Sequence, residues 1–237
     1  DMTLWHLSQA IAETARISVP TLLEGVAGRL TAETCDRRLD SWSRRLLDQV
    51  GIEVTTCGLE LAPAGETFVV MSNHQSLYDI PVLFQALKRR VRMVAKSELF
   101  RIPVWGGAMR AAGFIEVDRK NHARALAGLA RAKTALSEGT SIWIAPEGTR
   151  SRSGKLGAFK KGGFHLALDT GARILPVTVV GTREVLVTLE GTVHTGAAVT
   201  VTLSAPIDSK AYGVAKRDEL AAAVRESIAR HLPEELR

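Results

Sequence analysis

Apolar positions in the first fifty residues recur at helical spacing. Leu4, Leu7, Ile11 and Ala15 lie three or four apart, Pro20 interrupts the series, and Leu22, Leu23, Val26 and Leu30 resume it, which predicts a pair of helices broken at the proline. Leu39, Trp42, Leu46 and Val50 continue the period with arginine and aspartate on the opposite face, and Gly51 is placed to end that helix. From Ile52 onward the pattern changes to short apolar runs alternating with longer helical stretches, the signature of a mostly parallel sheet covered by helices. The expected class is therefore α/β. Predicted strands cover 52–57, 67–71, 91–95, 113–117, 141–145, 174–180 and 199–203, and predicted helices cover 80–87, 104–111, 122–137, 164–169 and 215–231. This divides the chain into an N-terminal helical extension, 1–50, and an α/β domain, 51–237.

A length of 237 residues suits one large domain with such an extension. Composition is that of a packed globular protein, which excludes disorder and collagen-like repeats. Glu13, Arg16, Pro20, Glu24 and Arg29 interrupt residues 4–31, so no spanning helix is expected, and the start lacks the pattern of a signal peptide. Asp1 ahead of Met2 reads as a cloning remnant or a trimmed start. Cys35 and Cys57 form no C-x-x-C pair, and free thiols suit a reducing, intracellular setting. H-E-x-x-H is absent too, so no metal is expected.

Charge changes the picture more. The formal charge is +6, but residues 88–101 carry +5 and residues 147–161 carry +4, leaving the remainder slightly acidic. Basic character this local points to an anionic ligand or surface. Nucleic acid is disfavoured, because aromatics make up only 5% and do not interleave the basic runs.

Two polar segments follow apolar strands, where α/β proteins bind ligands. The first is Asn73-His74-Gln75-Ser76-Leu77-Tyr78-Asp79, after Phe68-Val69-Val70-Met71. His74 and Asp79 are five apart, about 140° round a continuous helix, so a turn must bring the carboxylate back to the imidazole. In that arrangement His74 is a general base and Asp79 fixes its tautomer. The plainer reading makes Asp79 a helix cap and His74 a loop residue. The second segment is Pro146-Glu147-Gly148-Thr149-Arg150-Ser151, in which Arg150 could grip a phosphate and Gly148 allow close backbone approach, or Glu147 and Arg150 could form an ordinary surface pair. A phosphate-binding P-loop is excluded: five residues separate Gly148 from Gly154, and Leu156 follows Lys155 where Ser or Thr is required. G-x-S-x-G is absent as well, so no serine nucleophile is indicated.

These two segments, in this order and about seventy residues apart, resemble the glycerolphosphate acyltransferase superfamily, most of all the 1-acylglycerol-3-phosphate acyltransferases. Gly113-Phe114-Ile115-Glu116-Val117-Asp118-Arg119 and Leu175-Pro176-Val177-Thr178-Val179-Val180-Gly181 are similar to two further blocks, and Lys96-Ser97-Glu98-Leu99 and Phe159-Lys160-Lys161-Gly162 also fit, so the resemblance covers residues 50–185. Ala145 stands where the family usually has an aromatic residue.

The resemblance implies acyl transfer from acyl-CoA or acyl carrier protein to a lysophospholipid hydroxyl, without a cofactor. His74 and Asp79 would be catalytic. Arg150 and Lys96 would take the acceptor phosphate, with Arg119, Lys160 and Lys161 as weaker candidates and Glu147, Gly148 and Thr149 completing the substrate site. The expected partners are the lysophospholipid, the acyl thioester and a membrane surface, with peripheral attachment on the cytoplasmic face through the N-terminal helices. Trp105 and Met109 are candidates to line an acyl groove. Another lysolipid acceptor, such as lyso-ornithine lipid, and a non-catalytic anionic-lipid binding module remain open at this point.

Overall fold

The computed structural model describes residues 2–118, 121–186 and 191–237. Among the described residues, seven strands form one sheet: β1 (Glu53–Cys57), β2 (Val69–Ser72), β3 (Val91–Lys96), β4 (Ile115–Val117), β5 (Ser141–Ile144), β6 (Ile174–Val180) and β7 (Ala198–Leu203). Their spatial order is β1-β7-β6-β2-β5-β3-β4, and every neighbouring pair is parallel except β6 with β7. The α/β class and all seven predicted strands are present. The middle strands read as unbroken apolar runs because both faces are covered: every residue of β2 is buried.

Seven α-helices accompany the sheet: α1 (Met2–Val26), α2 (Ala32–Gln49), α3 (Asp79–Ala86), α4 (Trp105–Ala111), α5 (His122–Ser137), α6 (Gly162–Thr170) and α7 (Arg217–Ala229). One core lies against α2 and α3, where Leu47, Val50, Val82 and Leu83 meet Val70, Val177 and Val201. The other joins Phe164, Leu166, Leu220, Val224 and Ile228 to Val69, Met71 and Ile142. Trp105 and Met109 pack with Ala95, Phe100 and Phe114 in a small third cluster, and Met109 is buried there as ordinary core.

The N-terminus departs from expectation. Pro20 does not divide a helical pair, because α1 runs through it without a break. An internal proline loses a hydrogen bond and costs roughly 3 kcal/mol. Tertiary contacts on both sides offset this: Trp42 Nε1 donates to Thr14 Oγ1 at 3.0 Å, and Arg38 donates to Thr21 Oγ1 at 3.1 Å and to Glu24 Oε1 at 2.8 Å. On its other side α1 lies so close to α4 that a Cβ on Gly25 would stand 2.7 Å from Ala111 Cβ. Thr31 caps α2 by accepting from the Thr34 N–H, so this helix starts before the apolar period that announced it.

Three residues of the first basic run are consumed by the fold. Arg92 is 4% exposed and bonds Asp36 Oδ1 at 2.8 Å and the carbonyl of Ala112. Arg90 holds Asp36 and Glu33, while Arg89 caps the carbonyls of Ala62 and Glu66. Arg89, Arg90 and Arg92 therefore pin α2 and a loop to the sheet, because their carboxylate and carbonyl partners belong to the fold. No described helix is long and apolar enough to cross a membrane.

Candidate active site

Because β6, β2, β5, β3 and β4 run parallel, their carboxyl ends share one end of the sheet. The segments after these strands converge there, around the loop that leaves β2. Asn73, buried, donates through Nδ2 to the Val179 carbonyl and accepts through Oδ1 from the Val179 N–H, both at 2.8 Å. Its side chain thus extends the β2–β6 pairing after the backbone has turned away. The turn returns the chain so that Asp79 opens α3, and His74 Nδ1 lies 2.7 Å from Asp79 Oδ2.

Asp79 is not a helix cap of the ordinary kind. Its Oδ2 also accepts the N–H groups of Gln75 and Ser76, which precede the helix, at 2.7 and 2.9 Å, and its Oδ1 accepts the Thr182 hydroxyl at 2.5 Å. The carboxylate is wholly buried and fully hydrogen-bonded, at the positive end of α3. The His74 side chain keeps 17% exposure. With Nδ1 facing Asp79, Nε2 is the nitrogen left for a substrate proton. Trp143 on β5 walls the imidazole edge-on, with ring centroids 5.8 Å apart, and is itself fixed by Nε1 donating to Ser72 Oγ.

Glu147 joins the two motif loops. Its Oε1 accepts the His74 N–H at 3.0 Å and its Oε2 accepts the Gly157 N–H at 2.8 Å. Ser151 N–H adds a bond to the His74 carbonyl. Burial pushes the Glu147 carboxyl above its ordinary value, opposed by those two backbone N–H groups. Gly157 packs closely here: an added Cβ would stand 3.1 Å from Glu147 Oε2.

The remaining predicted residues spread around this centre. Gly148, with φ +76°, exposed Thr149 and half-buried Arg150 follow β5, and Lys96 is exposed at the end of β3. Lys160 is exposed, and its backbone N–H binds the Pro146 carbonyl. Lys161 lines a separate cavity of about 310 Å³ between α6 and α7, with Phe159, Phe164, Arg217 and Arg225, and no residue of the dyad borders it. Arg119 lies outside the described residues. Sequence reasoning overlooked Thr182, Trp143 and the clamp made by Asn73. Thr182 sits two residues beyond the end of β6, so the strand-exit rule that singled out His74 would have found it.

The acyltransferase family model matches residues 53–180. Among curated proteins, the chain is 39% identical over 132 residues to 1-acyl-sn-glycerol-3-phosphate acyltransferase LPAT1, chloroplastic, of Arabidopsis thaliana, covering 55% of this chain and 37% of that protein. It is 38% identical over 174 residues to the Brassica napus chloroplastic enzyme BAT2, covering 73% of this chain and 48% of that protein. The chain thus spans half or less of the length of these two plant relatives. It is 31% identical over 182 residues to 1-acyl-sn-glycerol-3-phosphate acyltransferase of Borreliella burgdorferi, covering 77% of this chain and 72% of that protein. The crystal structure of the 1-acyl-sn-glycerophosphate acyltransferase PlsC from Thermotoga maritima superimposes with a TM-score of 0.79 at 28% identity, covering 96% of this chain and 92% of that one.

Proposed function

The chain belongs to the acyltransferase family, and from that premise we propose that it moves a fatty acyl group from a thioester, acyl-CoA or acyl carrier protein, to the free hydroxyl of 1-acylglycerol-3-phosphate, giving phosphatidic acid. The observation that carries the reading is the contact of His74 Nδ1 with a buried, fully hydrogen-bonded Asp79 at the strand ends.

An unactivated alcohol does not ionise near neutral pH and needs a base as it attacks. His74 Nε2 takes the hydroxyl proton while the oxygen bonds to the thioester carbonyl carbon. The tetrahedral intermediate collapses, the C–S bond breaks, and the imidazolium returns the proton to the departing thiolate. Asp79 holds the ring in the tautomer with Nε2 unprotonated and stabilises the imidazolium between the two steps. No enzyme nucleophile is required, since both substrates are bound together and positioning supplies much of the rate. Arg150 and Lys96 are assigned to the acceptor phosphate, with Lys160 as a supporting cation.

Membrane contact, peripheral and on the cytoplasmic face, belongs to the same reading. Its support is α1, whose outward stripe is apolar: Leu4, Trp5, Ile11, Val19, Leu23 and Val26 are all exposed. The test is thiol release from acyl-CoA or acyl carrier protein as a function of acceptor. Release that depends on 1-acylglycerol-3-phosphate is expected. Release with lyso-ornithine lipid alone would move the acceptor, and none with any lysolipid would remove the reaction.

A further inference from the structure

A second cationic feature lies apart from the dyad, at the free edge of β4. There a cavity of about 430 Å³ is lined by Arg101, Arg110, Glu116, Arg124, Ala127 and Arg131. Four elements build it, with Glu116 supplied by β4. Arg101 ends the turn after β3, Arg110 stands in the last turn of α4, and Arg124, Ala127 and Arg131 share one face of α5 at i, i+3 and i+7. The small Ala127 leaves room between its two arginine neighbours.

Four guanidinium groups face one carboxylate in this space, so like charges are crowded together and favour an anion between them. Glu116 is taken by Arg110 at 3.1 Å, and Arg124 stands 3.5 Å from Asp118. Among the described residues, neither Arg101 nor Arg131 forms an ion pair with a carboxylate. The cations are arginines throughout, whose planar fork suits phosphate oxygens.

The surroundings decide which phosphate. Exposed aliphatic side chains stand close in the chain to the lining residues: Ile102 follows Arg101, Val104 leads into α4, and Leu126 adjoins Ala127. Ala111, next to Arg110, abuts Gly25 of α1, beside the exposed Leu23 and Val26. Guanidinium groups on elements that also carry exposed aliphatics suit a bilayer interface, where phosphates lie above hydrocarbon. A nucleotide fits less well, because no aromatic ring and no neutral hydrogen-bonding side chain lines the cavity. Nor does the phosphate of the reacting lysolipid fit. Three strand intervals separate β2 from β4, about 14 Å, whereas one methylene and one ester oxygen separate that phosphate from the hydroxyl-bearing carbon.

We propose that this arginine cavity binds the headgroup phosphate of a non-reacting anionic phospholipid in the bilayer, seating the protein beside α1 on the membrane. The proposal extends the membrane contact of the acyl-transfer reading and rests on it for the lipid setting.

The test is co-sedimentation of the full chain with vesicles of phosphatidylcholine plus phosphatidylglycerol and with vesicles of phosphatidylcholine alone. Arg101→Gln/Arg131→Gln should bind the anionic vesicles roughly thirty-fold more weakly than the unaltered protein. Binding to phosphatidylcholine alone, and thiol release with both substrates in detergent micelles, should not change. A control with equal charge loss, Lys216→Gln/Arg230→Gln, should lose only a few-fold. Equal binding by the cavity variant and the unaltered protein overturns the proposal, as does an equal loss in the control or a fall in micellar turnover. Loss of CoA binding by the cavity variant, measured calorimetrically, with vesicle binding intact would assign the cavity to the thioester's nucleotide instead. Vesicle binding is read without turnover, so absence of thiol release in the unaltered protein would remove the acyl-transfer reading and leave this result standing.

Discussion

Thr182 donates its hydroxyl hydrogen to Oδ1 of Asp79, the same carboxylate whose Oδ2 meets His74 Nδ1. The residue after β6 thereby fixes the carboxylate that orients the imidazole after β2, and the neighbouring β2–β6 pair sets the spacing.

Replacing that hydroxyl with a methyl group tests the arrangement. Thr182→Val keeps the volume but leaves Oδ1 of a wholly buried carboxylate without its partner, a loss of roughly 1.5–3 kcal/mol for a hydrogen bond to a charged group. We expect kcat to fall by about ten-fold or more with the acceptor KM unchanged, and Thr182→Ser to restore most of it. Equal kinetics for Thr182→Val and the unaltered protein would remove Thr182 from the positioning role.

Glu147 offers a pH-dependent test. Burial raises its carboxyl above the ordinary 4.5, so the folded state binds more protons than the unfolded chain between the two values. Its contribution to stability is complete below 4.5 and is lost as pH rises through the folded value. Glu147→Gln cannot titrate and cannot accept both the His74 and Gly157 N–H groups, so it should melt lower overall. The gap in Tm between the two proteins should be widest in acid and narrow as pH rises. A gap that widens with pH would contradict the assignment.

Arg92 and Arg150 should be told apart by stability and by kinetics. Arg92→Ala strips a buried guanidinium from Asp36 and from the Ala112 carbonyl and should lower stability by about 3 kcal/mol. Arg150→Ala should mainly raise the acceptor KM. Chemical denaturation and steady-state kinetics on the two variants separate the roles, and an unchanged KM for Arg150→Ala would withdraw it from the phosphate site.

The exposed stripe of α1 gives a further test. Ile11 and Leu23 are 70% and 64% exposed, so Ile11→Glu/Leu23→Glu should leave Tm within about a degree of the unaltered protein, surface changes being usually neutral. The same variant should lose most of its partition onto phospholipid vesicles. Unchanged partition would show that another face meets the membrane.

Much of this was legible in local pattern. Short apolar runs located the central strands because these are buried on both faces, and a spacing that no single helix satisfies required a turn if Asp79 was to meet His74. What escaped reading depends on partners distant in sequence. Pro20 looks like a break until Trp42 and Arg38 hold the helix on either side of it. Arg90 and Arg92 look like ligand cations until Asp36 and Glu33 are found against them. Glu147 reads as a surface partner of Arg150, yet both its oxygens are taken by backbone N–H groups of separate loops.

The most direct measurement is kcat for thiol release by His74→Ala, with Tm measured on the same sample. A general base is worth roughly 10²–10⁴ in rate, so the account predicts a loss of at least a hundred-fold in a protein that melts as the unaltered one does. A folded His74→Ala protein turning over at the unaltered rate would contradict it.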